Sequence, residues 1–146
     1  MSLEMIEMWH KRARPDPSED NFGVQLGCHI EEFVEMMETV SLALGEEQGR
    51  LVSVSFTILG SLADALKNGD IAASIEDRKE FLDSLADQIV TAVGAGYCAG
   101  MNVPEACNRV NESNWSKAID GEFAFDENGK ISKPSTYRPP NLDGLY

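Results

Sequence analysis

Basic residues are scarce in this 146-residue sequence, because 12 lysines and arginines stand against 25 aspartates and glutamates, giving a formal net charge of −13. A protein that holds the phosphates of a nucleic-acid polymer needs a basic face, so DNA and RNA are not expected partners. The charge does not exclude a nucleotide, since a divalent cation between an acidic protein and a polyphosphate dominates the local field.

Cysteine, histidine and long apolar runs are also scarce. Three cysteines and two histidines, with no CxxC pair, do not predict a zinc site. We interpret the cysteines as small core hydrophobes in a reducing compartment. The longest uncharged run begins at Gln88 and is shorter than the roughly 18 residues of a membrane span. No secretory signal is expected either. The sequence thus predicts a cytoplasmic protein without a membrane partner.

What the sequence does contain is a helical pattern. Its 42% hydrophobic and 25% charged residues fit one globular domain over residues 1–146. Apolar residues at three- and four-residue spacing predict helices over the ranges 3–12, 24–44, 51–70, 75–99 and 102–118. We therefore predict an all-α fold, a four- to five-helix bundle with its core at about residues 22–118. The polar segment 119–146 is expected to be an extended tail with a hairpin at "DENG".

Three local features of this pattern need separate arguments. Residues 51–70 alternate polar and apolar side chains as a strand does, but the length of the run and the lack of a partner strand favour a helix. Ser74 is the expected N-cap of the fourth helix, with Asp77 three residues on. Asn102 is the expected N-cap of the fifth helix, with Glu105 at the capping-box position.

The segment 81–100 is apolar on nearly all sides, so it must be covered on most of them. A single bundle of this size has little material to do so, although its own helices are one possible cover. We expect an interface between identical copies, in a homodimer or a homotetramer. Gly96 and Gly100, four residues apart, would let the helices approach closely.

Acidic residues interrupt two of these apolar helices. Asp83 and Asp87 lie one turn apart, about 6 Å from each other on one helix face. The earlier helix carries the run "HIEEFVEMME", which holds Glu31, Glu32, Glu35 and Glu38. Converging carboxylates repel one another unless a hard divalent cation lies between them, and bundles commonly build metal sites in this way. The spacing favours a metal site. A solvated acidic face is the alternative for both helices, and neutralisation by a lysine is a further alternative for Asp83 and Asp87.

These motifs resemble those of a known superfamily. "EEFVE" followed by "DSLAD" resembles the EExxE…ExxD motif of the all-α NTP pyrophosphohydrolases, which include the MazG, dimeric dUTPase and phosphoribosyl-ATP pyrophosphohydrolase families. The stretch "NESNWSKAIDGEFAFDENGKISKPSTYRPPNL" resembles the C-terminal signature of MazG-like and phosphoribosyl-ATP pyrophosphohydrolase-like proteins. The resemblance covers roughly residues 24–142.

The resemblance implies a Mg²⁺-dependent enzyme, with Mn²⁺ as a substitute, that cleaves a (d)NTP to (d)NMP and pyrophosphate. House-cleaning of nucleotide pools, control of dUTP or dCTP, and an alarmone-related role are the alternatives for such an enzyme. Glu32 and Glu35 would bind the metal, and Glu31 would support these ligands or act as the base for the attacking water, which makes all three catalytic. The ExxD positions fall on Ser84, a departure from the motif, and on Asp87. Asp83 would replace the missing glutamate as a metal ligand.

The tail adds further site residues by the same resemblance. Asn114 and Lys117 match phosphate-contacting positions, although Lys117 at the end of a helix could instead serve only that helix. Lys133 and Arg138 belong to a basic tail, expected to be mobile, that could close over phosphates or reach a neighbouring subunit. Trp115 is interpreted as a core residue rather than a platform for a base. The alternative to an enzyme, favoured by Ser84, is a non-catalytic helical module that binds a nucleotide or docks a partner protein.

Overall fold

The predicted all-α class is confirmed by the computed structural model, which describes residues 3–146. Its five helices are α1 (Leu3–Ala13), α2 (Glu19–Glu38), α3 (Glu46–Lys67), α4 (Arg78–Cys98) and α5 (Val103–Trp115). Residues 3–146 contain no strand, but isolated bridges join Ile119 to Glu122 and Phe125 to Ile131. The second bridge closes the turn at "DENG", where a hairpin was expected.

Capping side chains set the start of α2 earlier than the apolar spacing predicts. Ser18 and Asn21 form a reciprocal capping box: the Asn21 amide donates to Ser18 Oγ and the Ser18 amide donates to Asn21 Oδ1. This satisfies amide groups that a helix start leaves open. The helix ends at Glu38 and not at Leu44, because the Thr39 hydroxyl and amide both bond to the carbonyl of Met36 in the final turn.

The ambiguous segment 51–70 lies largely within helix α3, as predicted. Its small polar side chains fit the helix because their hydroxyls donate to carbonyls one turn earlier, from Ser55 to Leu51 at 2.9 Å and from Thr57 to Ser53 at 3.0 Å. The helix ends at Lys67, and Gly69 follows with a φ of 74°, a left-handed conformation that favours glycine.

Helix α3 is also long and apolar enough to cross a membrane, judged by length and composition alone. A single helix of this kind is weak support for a membrane span.

The predicted start of α4 is wrong by three residues, whereas the start of α5 is confirmed. Asp77, not Ser74, caps α4, because its Oδ1 accepts the amides of Lys79 and Glu80 at 2.9 and 3.1 Å. Asn102 caps α5 by accepting the Glu105 amide at 3.2 Å. Each cap satisfies amides in the first turn of its helix.

The chain forms two compact units, which are described separately. The hairpin unit comprises Pro17–Ser74 with Glu127–Lys130 and contains α2 and α3. The tail unit comprises the chain up to Asp16, Ile75–Asp126 and Ile131–Tyr146, and contains α1, α4, α5 and the C-terminal tail. The single domain with a core at residues 22–118 stays a prediction.

In the hairpin unit, α2 and α3 pack along each other at a point of very close approach. A Cβ atom at Gly27 would lie 2.7 Å from the Ala63 carbonyl oxygen and 2.8 Å from the Lys67 Cγ. Val34 on α2 and Leu66 on α3 are buried in the same unit. The absence of a side chain at Gly27 therefore brings the α2 backbone to the C-terminal turn of α3.

In the tail unit, side chains of α1 and α5 form hydrogen bonds with the C-terminal tail. The Arg12 side chain donates to the Gly121 carbonyl at 3.0 Å, and Arg109 donates to the carbonyls of Asn141 and Asp143 at 2.9 and 3.2 Å. These bonds fix both ends of the tail against α1 and α5. The mobile tail that the composition predicts is therefore not what the structure contains.

Candidate functional site

The candidate site residues fall into three groups: carboxylates on α2, carboxylates on α4, and basic residues at the end of α5 and in the tail. On α2, Glu31 is partly buried, with its side chain 29% exposed. Glu32 and Glu35 are exposed and form no ion pair with any residue of the range 3–146. The three glutamates thus have two different environments on one helix.

Two lysines pair with the Glu31 carboxylate. The Lys67 Nζ lies 2.6 Å from Glu31 Oε1, and the Lys130 Nζ lies 3.5 Å from Oε2. Lys67 also contacts Asp64 at 3.0 Å, and its side chain is only 15% exposed. Neutralisation by a lysine, the alternative considered for Asp83 and Asp87, is found instead at Glu31, where the lysines come from α3 and from the turn at 127–130.

These contacts shift the pKa values of Glu31 and Lys67 in opposite directions. The hydrogen bond from Lys67, aided by the charge of Lys130, holds the pKa of Glu31 below its ordinary value despite partial burial. Burial alone would lower the pKa of Lys67, but its hydrogen bonds to Glu31 and Asp64 raise it overall. A carboxylate stabilised in this way is a weaker base than a free one, so Glu31 is better suited to positioning α2 than to taking a proton.

Cys28 lies one turn before Glu31 on α2. It is half-buried, and burial raises the pKa of its thiol. This fits the interpretation of a small core residue, whereas Cys98 and Cys107 are exposed. For those two cysteines the core interpretation is wrong.

On α4, Asp83 and Asp87 are exposed and make no ion pair with a described residue. No residue of α4 is buried, and its apolar side chains reach 68% exposure at Val90 and 82% at Tyr97. In the single chain α4 is therefore not covered, as the alternative of cover by its own helices would require, and the expected interface between copies stays a prediction.

The two glycines near the end of α4 have different surroundings within the single chain. Gly96 leaves room for the Val103 side chain at the start of α5. Gly100 lies past the end of the helix with a φ of 75°, and a Cβ there would meet nothing within 4 Å. Gly100 therefore terminates α4, and its role in an interface between copies stays a prediction.

The α2 and α4 carboxylates belong to different units, so the predicted metal site is not tested by the geometry of either unit. Within the described chain, no group of three or more histidine, cysteine, aspartate or glutamate residues could hold a metal ion. The pairs Glu32–Glu35 and Asp83–Asp87 do offer oxygen ligands of the hard kind that Mg²⁺ prefers.

Lys117 lies just beyond the end of α5, among aromatic rings. Its Nζ is 5.6 Å from the centroid of the Trp9 ring and 5.8 Å from that of Tyr137. Lys133 also approaches Tyr137, with its Nζ 5.3 Å from the ring centroid. Two cations therefore converge on one ring in a protein whose net charge is strongly negative, an arrangement stabilised by the electron-rich ring faces.

The backbone next to this ring is held in place by α5. Ser113 Oγ donates to the Arg138 carbonyl at 2.7 Å, and the Arg138 amide donates to Ser116 Oγ at 2.9 Å. Ser113 Oγ also lies 3.3 Å from the Tyr137 hydroxyl, from which it can accept a hydrogen bond. Sequence reasoning missed these two serines, although their spacing of three places both on one side of the helix end.

A pocket of about 250 Å³ opens beside Lys117. Most of its wall is apolar and consists of Ile119, Phe123, Ala124 and Pro134. Lys117, Glu122 and Ser132 provide its polar groups. Asn114, half-buried on α5, is not part of this wall. The pocket thus places Lys117, one of the two predicted phosphate-contacting residues, next to an apolar surface.

Both tryptophans of the chain lie against the Phe123 side of this pocket. The ring centroids of Trp9 and Trp115 are 5.8 and 6.2 Å from that of Phe123. Trp9 is 7% exposed, and neither buried indole N–H has an acceptor within the described chain. The interpretation of Trp115 as a core residue fits this position.

No family model, curated protein or solved structure matches the chain.

Proposed function

We propose that the protein is a metal-dependent nucleoside triphosphate pyrophosphohydrolase that acts as a homo-oligomer and releases pyrophosphate from a (d)NTP. The observation that carries this proposal is the set of four exposed carboxylates without ion pairs, Glu32, Glu35, Asp83 and Asp87. They occur as two pairs, each on one face of a helix that is otherwise rich in apolar side chains.

The chemistry of this donor set fits Mg²⁺, with Mn²⁺ as a substitute. Glu32 and Glu35 on α2 and Asp83 and Asp87 on α4 would hold the ion through carboxylate oxygens. When bound, it neutralises phosphate charge and lowers the pKa of a bound water. Asp83 supplies the carboxylate that the superfamily motif would place at Ser84.

The remaining residues position groups rather than bind the metal. Glu31 ties α2 to the end of α3 through Lys67, and this contact orients the face that presents Glu32 and Glu35. Lys117 brings a fixed positive charge to the phosphates, assisted by Asn114, and Lys133 and Arg138 add charge from the tail. Positioning and charge stabilisation are the main contributions in transfer at phosphorus.

Exposed apolar stripes support the homo-oligomer. Leu51, Val54, Ile58 and Leu62 recur at helical spacing along α3, and all are exposed. Val90 and Tyr97 are exposed on α4. Large contiguous apolar patches are rare on soluble monomers and mark interaction sites. A second copy of the chain carries the same stripes and can cover them.

The test is pyrophosphate release from a panel of NTPs and dNTPs with Mg²⁺, with Mn²⁺ and with EDTA. We expect metal-dependent release, and its loss in Glu35→Gln and in Asp87→Asn with thermal unfolding unchanged. Glu47→Gln and Asp70→Asn are matched controls, since both change exposed acids outside the proposed ligands. Wild-type protein without turnover, or variants that lose activity only because they unfold, would refute the assignment.

A second candidate is a helical module that binds a nucleotide or docks a partner protein without turnover. Ser84 favours it, because the superfamily motif has a carboxylate at that position. Nucleotide binding with no pyrophosphate release under any metal condition would support this candidate over the enzyme.

A further inference from the structure

The tail unit contains a pocket in whose wall the superfamily resemblance assigns a role to Lys117 alone. Its wall combines the flat ring of Phe123 with the apolar side chains of Ile119, Ala124 and Pro134. Its volume of about 250 Å³ lies below the roughly 300–1,000 Å³ of pockets that enclose drug-sized ligands. The space suits one ring system rather than a whole nucleotide.

The charge around the pocket is opposite to that of the protein as a whole. Lys117 lines the pocket, and Lys133 lies between two lining residues, Ser132 and Pro134. Both lysines approach the ring of Tyr137, at 5.8 and 5.3 Å. In a chain of net charge −13, such a pair of cations next to an apolar pocket favours a ligand with a flat apolar part and an anionic part.

The one acidic side chain in the wall does not cancel this preference. Glu122 Oε1 is paired with Arg12 at 2.8 Å, and Arg12 also donates to the Gly121 carbonyl. The carboxylate therefore has its own cation, which is not one of the two lysines. This contact also fixes the turn from which Ile119 and Phe123 extend.

The two tryptophans hold the Phe123 ring in place. The ring centroids of Trp9 and Trp115 lie 5.8 and 6.2 Å from that of Phe123. Phe123 therefore gives the pocket wall a fixed aromatic ring, on which the flat ring of a ligand can stack.

We infer that this pocket is the nucleobase subsite, with the phosphate of the nucleotide held by Lys117 and Lys133. The inference rests on the proposed function for its substrate class, since that function supplies a nucleotide. It adds the place where the base lies, between the Ile119–Glu122 turn and the segment 132–134. Stacking on Phe123 tolerates any base, because every base has a flat π-face.

The chain offers a specific readout, because Trp9 and Trp115 are its only tryptophans and both lie against this pocket. We would titrate ¹⁵N-labelled protein in EDTA with AMP, CMP, GMP, UMP, the matching nucleosides and inorganic phosphate, following the two indole resonances. At least one monophosphate should shift an indole resonance to saturation. Its nucleoside should bind at least about tenfold more weakly, and phosphate alone should leave the indoles unmoved.

Ala124→Leu is the variant that tests the pocket itself. Ala124 is exposed and lines the pocket, and its carbonyl bond from the Ser132 amide does not involve the side chain. Filling the pocket should weaken monophosphate binding at least about tenfold. Ala72→Leu, at an exposed alanine in the hairpin unit, is the matched control and should titrate like the wild type.

The outcomes separate this inference from the proposed function. Indoles unmoved by all four monophosphates, equal shifts with phosphate alone, or an Ala124→Leu titration like that of the wild type would each overturn the base subsite. If the wild type hydrolyses triphosphates and Ala124→Leu does so with the same KM, the enzyme stands and the subsite fails. Saturable, Ala124-dependent shifts without any turnover would support the subsite and refute the hydrolase.

Discussion

At the scale of single residues, the pair formed by Glu31 and Lys67 shows how a position in a motif acquires its role. The motif alone allows Glu31 to act either as the base for the attacking water or as a support for the metal ligands. Its contacts with Lys67 and Lys130 favour the support. The sequence could not reveal this, because 36 residues separate Glu31 from Lys67 and only the packing of α2 on α3 brings them together.

Replacing Glu31 by glutamine should make stability depend less on pH. The pKa of Glu31 is lowered from 4.5 in the folded protein, so its contribution is fully present above that value and is lost as pH falls through the lower folded pKa. We expect a loss of about 1–2 kcal/mol in unfolding free energy at pH 7.

Urea unfolding at pH 7 and at successively lower pH measures this difference. The gap between wild type and Glu31→Gln should narrow as the wild-type carboxylate takes up its proton. Glu47→Gln, at an exposed position on α3, is the control and should show little change at either pH. Equal stability of Glu31→Gln and wild type at pH 7 would contradict the role given to this pair.

A substitution at Lys117 separates the contribution of its charge to substrate binding from the contribution of its packing. Lys117→Met keeps a long apolar stem against Trp9 and Tyr137 but removes the ammonium group. If Lys117 binds phosphate in both the ground state and the transition state, KM for the triphosphate should rise about tenfold or more with kcat little changed. Steady-state pyrophosphate release measures both constants, and Lys79→Met is the control. Unchanged kinetics would leave Lys117 with a packing role alone.

At the scale of the elements, the apolar spacing predicts the helices better than their ends. It identifies α3 despite the alternation of serines and threonines, whose hydroxyls donate to carbonyls one turn earlier in the helix. The spacing misplaces the starts of α2 and α4, because the N-cap side chains of Ser18 and Asp77 set where these helices begin. The tail is predicted as extended but not as fixed, since its bonds to Arg12 and Arg109 span more than thirty residues.

The close approach of α2 and α3 predicts a strong effect at one glycine. Gly27→Ala would bring a Cβ to 2.7 Å from the Ala63 carbonyl oxygen, and backbone cannot move aside cheaply. We expect a loss of about 1–3 kcal/mol in unfolding free energy. Gly60→Ala, on α3 with nothing within 4 Å, should instead stabilise by about 0.5–1 kcal/mol. Chemical denaturation measures both; a neutral Gly27→Ala would contradict the close packing.

At the scale of the whole molecule, two properties have opposite effects on the association of copies of the chain. The net charge of −13 keeps copies of the chain apart, whereas the apolar stripes on α3 and α4 favour association. The apolar contribution acts at contact and is not screened, while repulsion between exposed charges weakens beyond a Debye length of about 8 Å at physiological salt. Association should therefore prevail at physiological ionic strength and weaken as salt is removed.

Charged substitutions in the stripes test this balance. We expect wild-type protein to have the mass of a dimer or tetramer by light scattering, and Val90→Glu or Ile58→Glu to shift it to a smaller species. Each places a carboxylate on a side chain that is more than half exposed in the single chain, so folding of the monomer should survive while the covered interface could not hold an unpaired charge. Leu3→Glu, an equally exposed apolar position on α1, is the control and should leave the mass unchanged. A monomeric wild type at physiological salt would refute the homo-oligomer and leave the stripes for a different partner.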